Sequence, residues 1–215
     1  MYAVDLDRPE VDVERLRAFL TSAERDAPTR TQVARAATQV VLGDMLGTDP
    51  AVVPISRRCE HCGHATHGRP AVAADVPISF NVSHSGPLAL VAVLEGEARI
   101  GVDVEAVKAR SRLDALAERI LDADEHASWL QLEDDEARLR GFLQTWTCKE
   151  AYLKARGVGI ATALRAVPVR PQGWTVTTFS PHEGFVAALA ADRPALAMEQ
   201  HQFTFGVMPN DGTAG

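Results

Sequence analysis

The chain has 215 residues, 46% of them hydrophobic, enough to bury a sizeable core as one large domain or two small ones. Its formal charge of -7 gives no global electrostatic support to a nucleic-acid or anionic-membrane partner, so any phosphate site must be local. Three cysteines make no disulfide framework, and the sequence shows neither a basic-then-apolar leader nor an apolar run of bilayer length; a cytoplasmic protein is expected.

In chain order, helical periodicity over Val11 to Leu20 marks an outer helix, with acidic residues ahead of it that suit a helix N-terminus. A polar break follows, and Thr29 to Leu46 reads as a second helix that stops near Gly47, with Val33, Ala36, Ala37, Val40, Val41 and Leu46 as its apolar face. Arg30 and Arg35 sit near its start. They are either plain solvated charge or cations beside free backbone N–H groups, where a phosphate would fit. The stretch CEHCGHATHGRP is a loop by its Gly and Pro content. Zinc ligation by Cys59, Cys62, His64 and His67 is conceivable there, but the second pair stands too close to the first for a structural site, so no tightly bound zinc is expected.

Three strands come next: Ile78 to Val82, Leu88 to Leu94 and Arg99 to Glu105, at spacings that suit an antiparallel meander. The loop Ser83-His84-Ser85-Gly86 has no hydrolase geometry, since the side chains of adjacent Ser and His diverge and G-x-S-x-G is absent. A His beside hydroxyls and free N–H groups is instead a reasonable phosphate cradle. In the third strand, alternation puts Ile100, Val102 and Val104 on one side and Asp103 and Glu105 on the other. Two like charges on one face need something positive between them. A hard divalent cation meets that need, and a solvated strand end would also explain an isolated D-x-E.

Helical segments then run over Leu113 to Leu121, Asp124 to Leu132 and Glu133 to Arg156, with Asp122 or Asp124 as an N-cap. The last carries an apolar stripe through Leu139, Phe142, Leu143 and Trp146 that continues into Lys149, Glu150 and Leu153. A carboxylate on an apolar face either pairs with a cation, Lys154 standing one turn on, or binds a metal. Strands at Trp174 to Phe179, Phe185 to Ala190 and Gln202 to Val207 complete the chain. Helices followed by a three-strand meander thus occur twice, which suggests a pseudo-repeat.

Taken together, IGVDVE and the downstream WTCKEAYLKARGVGI resemble the two signature motifs of the 4′-phosphopantetheinyl transferases, and FNVSHSG is a third similar segment. Length and the N-terminal region resemble the Sfp-type branch. The resemblance implies an α+β fold of two similar halves in a pseudo-twofold arrangement, 1–105 and 106–215, each with helices packed on a three-stranded antiparallel sheet, and an active site in the cleft between them. It implies transfer of 4′-phosphopantetheine from coenzyme A to a serine of an acyl or peptidyl carrier protein. Asp103, Glu105 and Glu150 would hold magnesium, and Glu150, or a water it orients, would take the serine proton. Lys154, with Lys149, would stabilise the leaving 3′,5′-ADP. Arg30, Arg69, Ser83, His84, Lys149 and Lys154 would bind coenzyme A. A magnesium-dependent nucleotide pyrophosphohydrolase and a non-catalytic coenzyme A or carrier-protein binding module are the rival readings. Because one chain holds both halves and both motifs, a monomer is expected, with no nucleic-acid or membrane partner.

Overall fold

Eight residues of alternating character, ISFNVSHS, form one strand of a hairpin, and Gly86 (φ 58°) turns the chain directly into its antiparallel partner LALVAVLE. The computed structural model describes residues 1–7, 13–58, 62–64, 68–158 and 163–205. Its strands are β1 (Tyr2–Asp5), β2 (Ile55–Ser56), β3 (Ala71–Val72), β4 (Ile78–Ser85), β5 (Leu88–Glu95), β6 (Ile100–Ala106), β7 (Thr175–Phe179), β8 (Phe185–Ala191) and β9 (His201–Gln202). Its α-helices are α1 (Val13–Leu16), α2 (Ser22–Arg25), α3 (Thr29–Leu46), α4 (Leu113–Ile120), α5 (Ala123–Leu130) and α6 (Asp135–Arg156). The fold is α+β.

Two sheets pack back to back. The first has the order β4-β5-β1-β9 and the second β6-β8-β7, while β2 and β3 make a separate ribbon. Ala3, Leu88, Leu90 and Ala92 of the first sheet meet Val102, Val104, Ala187 and Leu189 of the second in one buried cluster. On its outer face the first sheet is covered by α1 and α3, where Leu16, Val33, Ala36, Ala37 and Val41 bury against Val4, Ala89 and Val91. The second sheet is covered by α6. Asp122 closes a capping box with Glu125 at the start of α5, Asp134 caps α6, and a left-handed Gly157 (φ 68°) ends it.

The sheets depart from two independent meanders. Arg99 to Glu105 does not extend the β4–β5 hairpin: β6 pairs antiparallel with β8, and the free edge of β5 is taken by β1, an element that the sequence reading did not assign. The final strand is likewise placed elsewhere, with β9 running parallel to β1; of the expected Gln202 to Val207, positions 206 and 207 lie outside the described residues. The physical reason is burial on both faces. Val102 and Val104 need an apolar sheet behind them, and the odd-numbered side of β6 needs α6, so the strand joins the sheet that α6 covers.

The seam between the sheets is made by side chains rather than by a backbone ladder. Ser79, Asn81, Ser83 and Ser85 alternate along one face of β4, and their side-chain oxygens accept the backbone N–H groups of Ile100, Val102, Val104 and Ala106 at 3.0 to 3.3 Å. The two strands therefore run side by side in the same direction. Every donor on the β6 edge away from β8 is satisfied in this way, which removes the penalty of burying an open strand edge.

Candidate active site

Strand alternation sets up the site. Gly101, Asp103 and Glu105 share the face of β6 that meets α6, and a Cβ at Gly101 would collide with the Ala151 carbonyl and the Ala155 amide. That close approach sets Glu150 and Lys154 of α6 over Asp103. The Lys154 ammonium donates to Asp103 Oδ1 at 2.6 Å and to Ser83 Oγ at 2.9 Å. Ser83 also accepts the Val104 amide, so its own proton goes to Asp103 Oδ1, 3.0 Å away.

Asp103 is 5% exposed and Glu150 is 8% exposed, and among the described residues neither Asp103 Oδ2 nor Glu150 Oε1 has a protein partner. Burial pushes the Glu150 carboxyl above the ordinary glutamate range, and repulsion from Asp103 and Glu105 adds to the effect against the attraction of Lys154. Burial also raises Asp103, outweighing the nearby Lys154 and the Ser83 hydroxyl. Two buried, unpartnered carboxylate oxygens beside one lysine leave the site with an excess of negative charge. Hard oxygen donors in that condition fit a divalent cation of the magnesium type, which takes one or two carboxylates and fills its remaining positions with water or substrate phosphate. Glu105 stands apart. Its Oε2 accepts Arg110 Nη2 at 2.7 Å and the Ser85 hydroxyl at 3.4 Å. Among the described residues no three acidic side chains are converged as a metal site.

Beside these carboxylates opens a cavity of about 420 Å³, walled by α3, the 68–70 loop, the outer face of β4 and the end of α6. Five cationic or ionisable nitrogen groups reach it: Arg35, Arg57, Arg69, His84 and Lys154. The Arg57 guanidinium is pulled below its ordinary value by desolvation and then by neighbouring Arg35, against the attraction of Glu24. Glu24 also lines the cavity, 3.7 Å from Arg35 Nε, and a concave site in which the nitrogen groups outnumber this carboxylate suits a polyphosphate ligand. Lys154 belongs to both the cavity wall and the carboxylate cluster, and so marks where the two join.

Of the residues singled out from the sequence, Arg35, Arg69, His84 and Lys154 line the cavity. Three others are engaged elsewhere. Arg30 makes an exposed bidentate pair with Asp7, at 2.6 Å through both contacts, and does not line the cavity. Ser83 turns its hydroxyl to Asp103 and Lys154. Lys149 is fully buried on another side of α6, where its ammonium donates to Glu125 Oε2 at 2.6 Å and to the Ile120 carbonyl at 3.0 Å. An apolar stripe cannot accept a free ammonium, so Lys149 is spent on joining α6 to α4 and α5. Arg57, which the sequence reading did not single out, also lines the cavity. Thr31, Arg35 and Thr38 fall at helical spacing on α3, a polar stripe beside its apolar face. In the cysteine and histidine loop, Cys59 and His67 lie outside the described residues.

The model of the 4′-phosphopantetheinyl transferase superfamily matches residues 99–202, the span from β6 to β9 that carries Asp103, Glu105, Glu150 and Lys154. The chain is 31% identical over 212 residues to the 4′-phosphopantetheinyl transferase HetI of Nostoc sp., an alignment covering 88% of this chain and 86% of that protein. It is 27% identical over 213 residues to the 4′-phosphopantetheinyl transferase ffp of Bacillus subtilis, covering 90% and 92% of the two chains. Against the 4′-phosphopantetheinyl transferase AcpT of Escherichia coli K12 it is 38% identical over 95 residues, 44% of this chain and 47% of that one. Fold, site and similarity thus define a transferase. The chain belongs to the 4′-phosphopantetheinyl transferase family.

Proposed function

We propose that this chain transfers the 4′-phosphopantetheine group of coenzyme A to a serine of an acyl or peptidyl carrier protein, leaving the holo carrier and 3′,5′-ADP. The observation that carries the reading is the continuity of a cation-walled cavity with a buried carboxylate cluster through Lys154. Arg35, Arg57, Arg69 and His84 would grip the phosphates of coenzyme A. The serine oxygen forms a bond to the pyrophosphate phosphorus that bears the pantetheine arm, and the bridging P–O bond breaks with its electron pair on 3′,5′-ADP. Lys154 stands where that negative charge develops. Glu150, whose carboxyl is raised above the ordinary glutamate range chiefly by burial, would take the serine proton directly or through a water.

Asp103 Oδ2 and Glu150 Oε1 are the open oxygens that would hold magnesium, with Glu105 as the third carboxylate. Bound there, the ion would neutralise charge on the pyrophosphate and orient it for in-line attack. The two halves, 1–105 and 106–215 in pseudo-twofold relation, meet at this cleft, with β6 and β9 exchanged between their sheets. One chain then supplies the complete cleft, and the active form is a monomer. A cytoplasmic enzyme without membrane or nucleic-acid partners is the reading carried over from the sequence; among the described residues no helix is long and apolar enough to cross a membrane.

Release of 3′,5′-ADP from coenzyme A, followed with and without an apo carrier protein, tests the reading. Release that requires the carrier supports transfer. Release at the same rate without it means that water is the acceptor and the chain is a pyrophosphohydrolase; no release in either case means a binding module.

A further inference from the structure

The three carboxylates of the cleft are not equivalent. Asp103 and Glu150 each keep a buried oxygen without a partner, whereas Glu105 Oε2 is occupied by Arg110 at 2.7 Å and by the Ser85 hydroxyl at 3.4 Å. Arg110 stands five residues further on, in the segment between β6 and α4, and its side chain is 34% exposed against 22% for Glu105. Its Nε is buried without a partner, so the guanidinium holds Glu105 through one nitrogen only and forgoes the two-pronged contact an arginine ordinarily makes.

We propose that Arg110 is a built-in counter-cation that competes with the divalent cation for Glu105, and so sets how tightly the site takes its metal. This rests on the three-carboxylate reading given above. Asp103, Glu105, Glu150 and Lys154 together carry a net charge of about -2 when ionised, and Arg110 cancels one of the two. No three acidic side chains among the described residues are converged, so Glu105 has to shift before it can join the other two, and its ion pair with Arg110 opposes that shift. Each metal-binding event therefore works against a partly buried ion pair and its neutralising charge, and a variant that lacks the pair binds the ion more tightly. Arg110 touches neither Asp103 nor Glu150 in any hydrogen bond and acts only through Glu105, which makes it a positioning residue.

The test is Mn²⁺ binding to the full chain without coenzyme A, read as loss of the free-ion electron paramagnetic resonance signal, for the wild type, Arg110→Gln, Arg110→Lys and Glu150→Gln. Arg110→Gln should bind Mn²⁺ at least about fivefold more tightly than the wild type, which is about 1 kcal/mol. Arg110→Lys, which restores the charge, should stay within about twofold of the wild type. Equal or weaker binding by a folded Arg110→Gln, or no retained Mn²⁺ on any variant, overturns the proposal; Arg110→Met serves should the Gln variant not fold. Glu150→Gln separates the two levels. If it loses Mn²⁺ while Arg110→Gln binds no more tightly than the wild type, the competition fails and the site stands; if it binds as the wild type does, the three-carboxylate site itself is wrong.

Discussion

Replacing Glu150 by Gln should make the protein inactive and more stable at once. The carboxylate is 8% exposed, Oε1 has no partner among the described residues, and Asp103 and Glu105 repel it. An amide of the same shape removes the charge without opening a cavity. An unsatisfied buried acceptor costs about 1–3 kcal/mol, and the amide leaves part of that in place, so a gain of about 1 kcal/mol is expected. For a chain of this size that raises Tm by about 2–4 °C. The sign follows from linkage. Burial raises the folded carboxyl above its unfolded value, so the folded state holds the proton more tightly, and the stability it contributes is full below the unfolded value of about 4.3 and lost as pH climbs through the folded one. Glu150→Gln should therefore gain most at neutral pH and above, and nothing at low pH. Turnover should fall by roughly 10²–10³-fold, the loss seen when one preorganised group of a charge-stabilising site is removed. Calorimetric scans from pH 4 to 8, run without divalent cation beside the transfer assay, measure both. A Tm that falls at neutral pH, or a rate near that of the wild type, would refute the idea that Glu150 is a frustrated charge kept for chemistry.

Arg35→Ala and Arg57→Ala should each raise KM for coenzyme A by about 10–100-fold with kcat little changed, because each removes a charge-assisted contact of about 1.5–3 kcal/mol in the cavity wall; initial rates over a coenzyme A series check this. Lys149→Met should act on the fold, lowering unfolding free energy by about 2–3 kcal/mol in urea, because it strands Glu125 beside a neutral side chain. Its KM for coenzyme A should not move, and a selective rise in KM would return Lys149 to the binding site. Light scattering across a concentration range should give a monomer with undiminished specific activity, and activity lost on dilution would mean that the cleft is built between chains.

The motif carboxylates were legible because period-two alternation and helical spacing are local properties: D-V-E on a β strand and E-A-Y-L-K on a helix fix their faces before any tertiary contact forms. Sheet membership was not legible. The sequence of β6 follows β5 closely, and nothing within either segment records that β1 occupies the edge of β5 or that β8 is the partner of β6. The buried polar face of β4 was missed for a related reason. Ser79, Asn81, Ser83 and Ser85 alternate as a solvent-facing row would, and only the neighbouring edge of β6 turns that row inward. Lys149 and Lys154 looked alike on the sequence. Five residues on a helix are 500° of rotation, so they project about 140° apart, and Glu125 claims one while Asp103 claims the other.

The central claim is that the cations of the cavity and the acids of the seam serve one transfer to a protein serine. Its most direct test is the mass of an apo carrier protein incubated with this chain, coenzyme A and magnesium. The account predicts that the carrier gains one phosphopantetheine, that a carrier with its acceptor serine changed to alanine gains nothing, and that Glu150→Gln leaves the apo mass in place. A carrier of unchanged mass, across carriers of both acyl and peptidyl type with the wild-type chain folded, would contradict it.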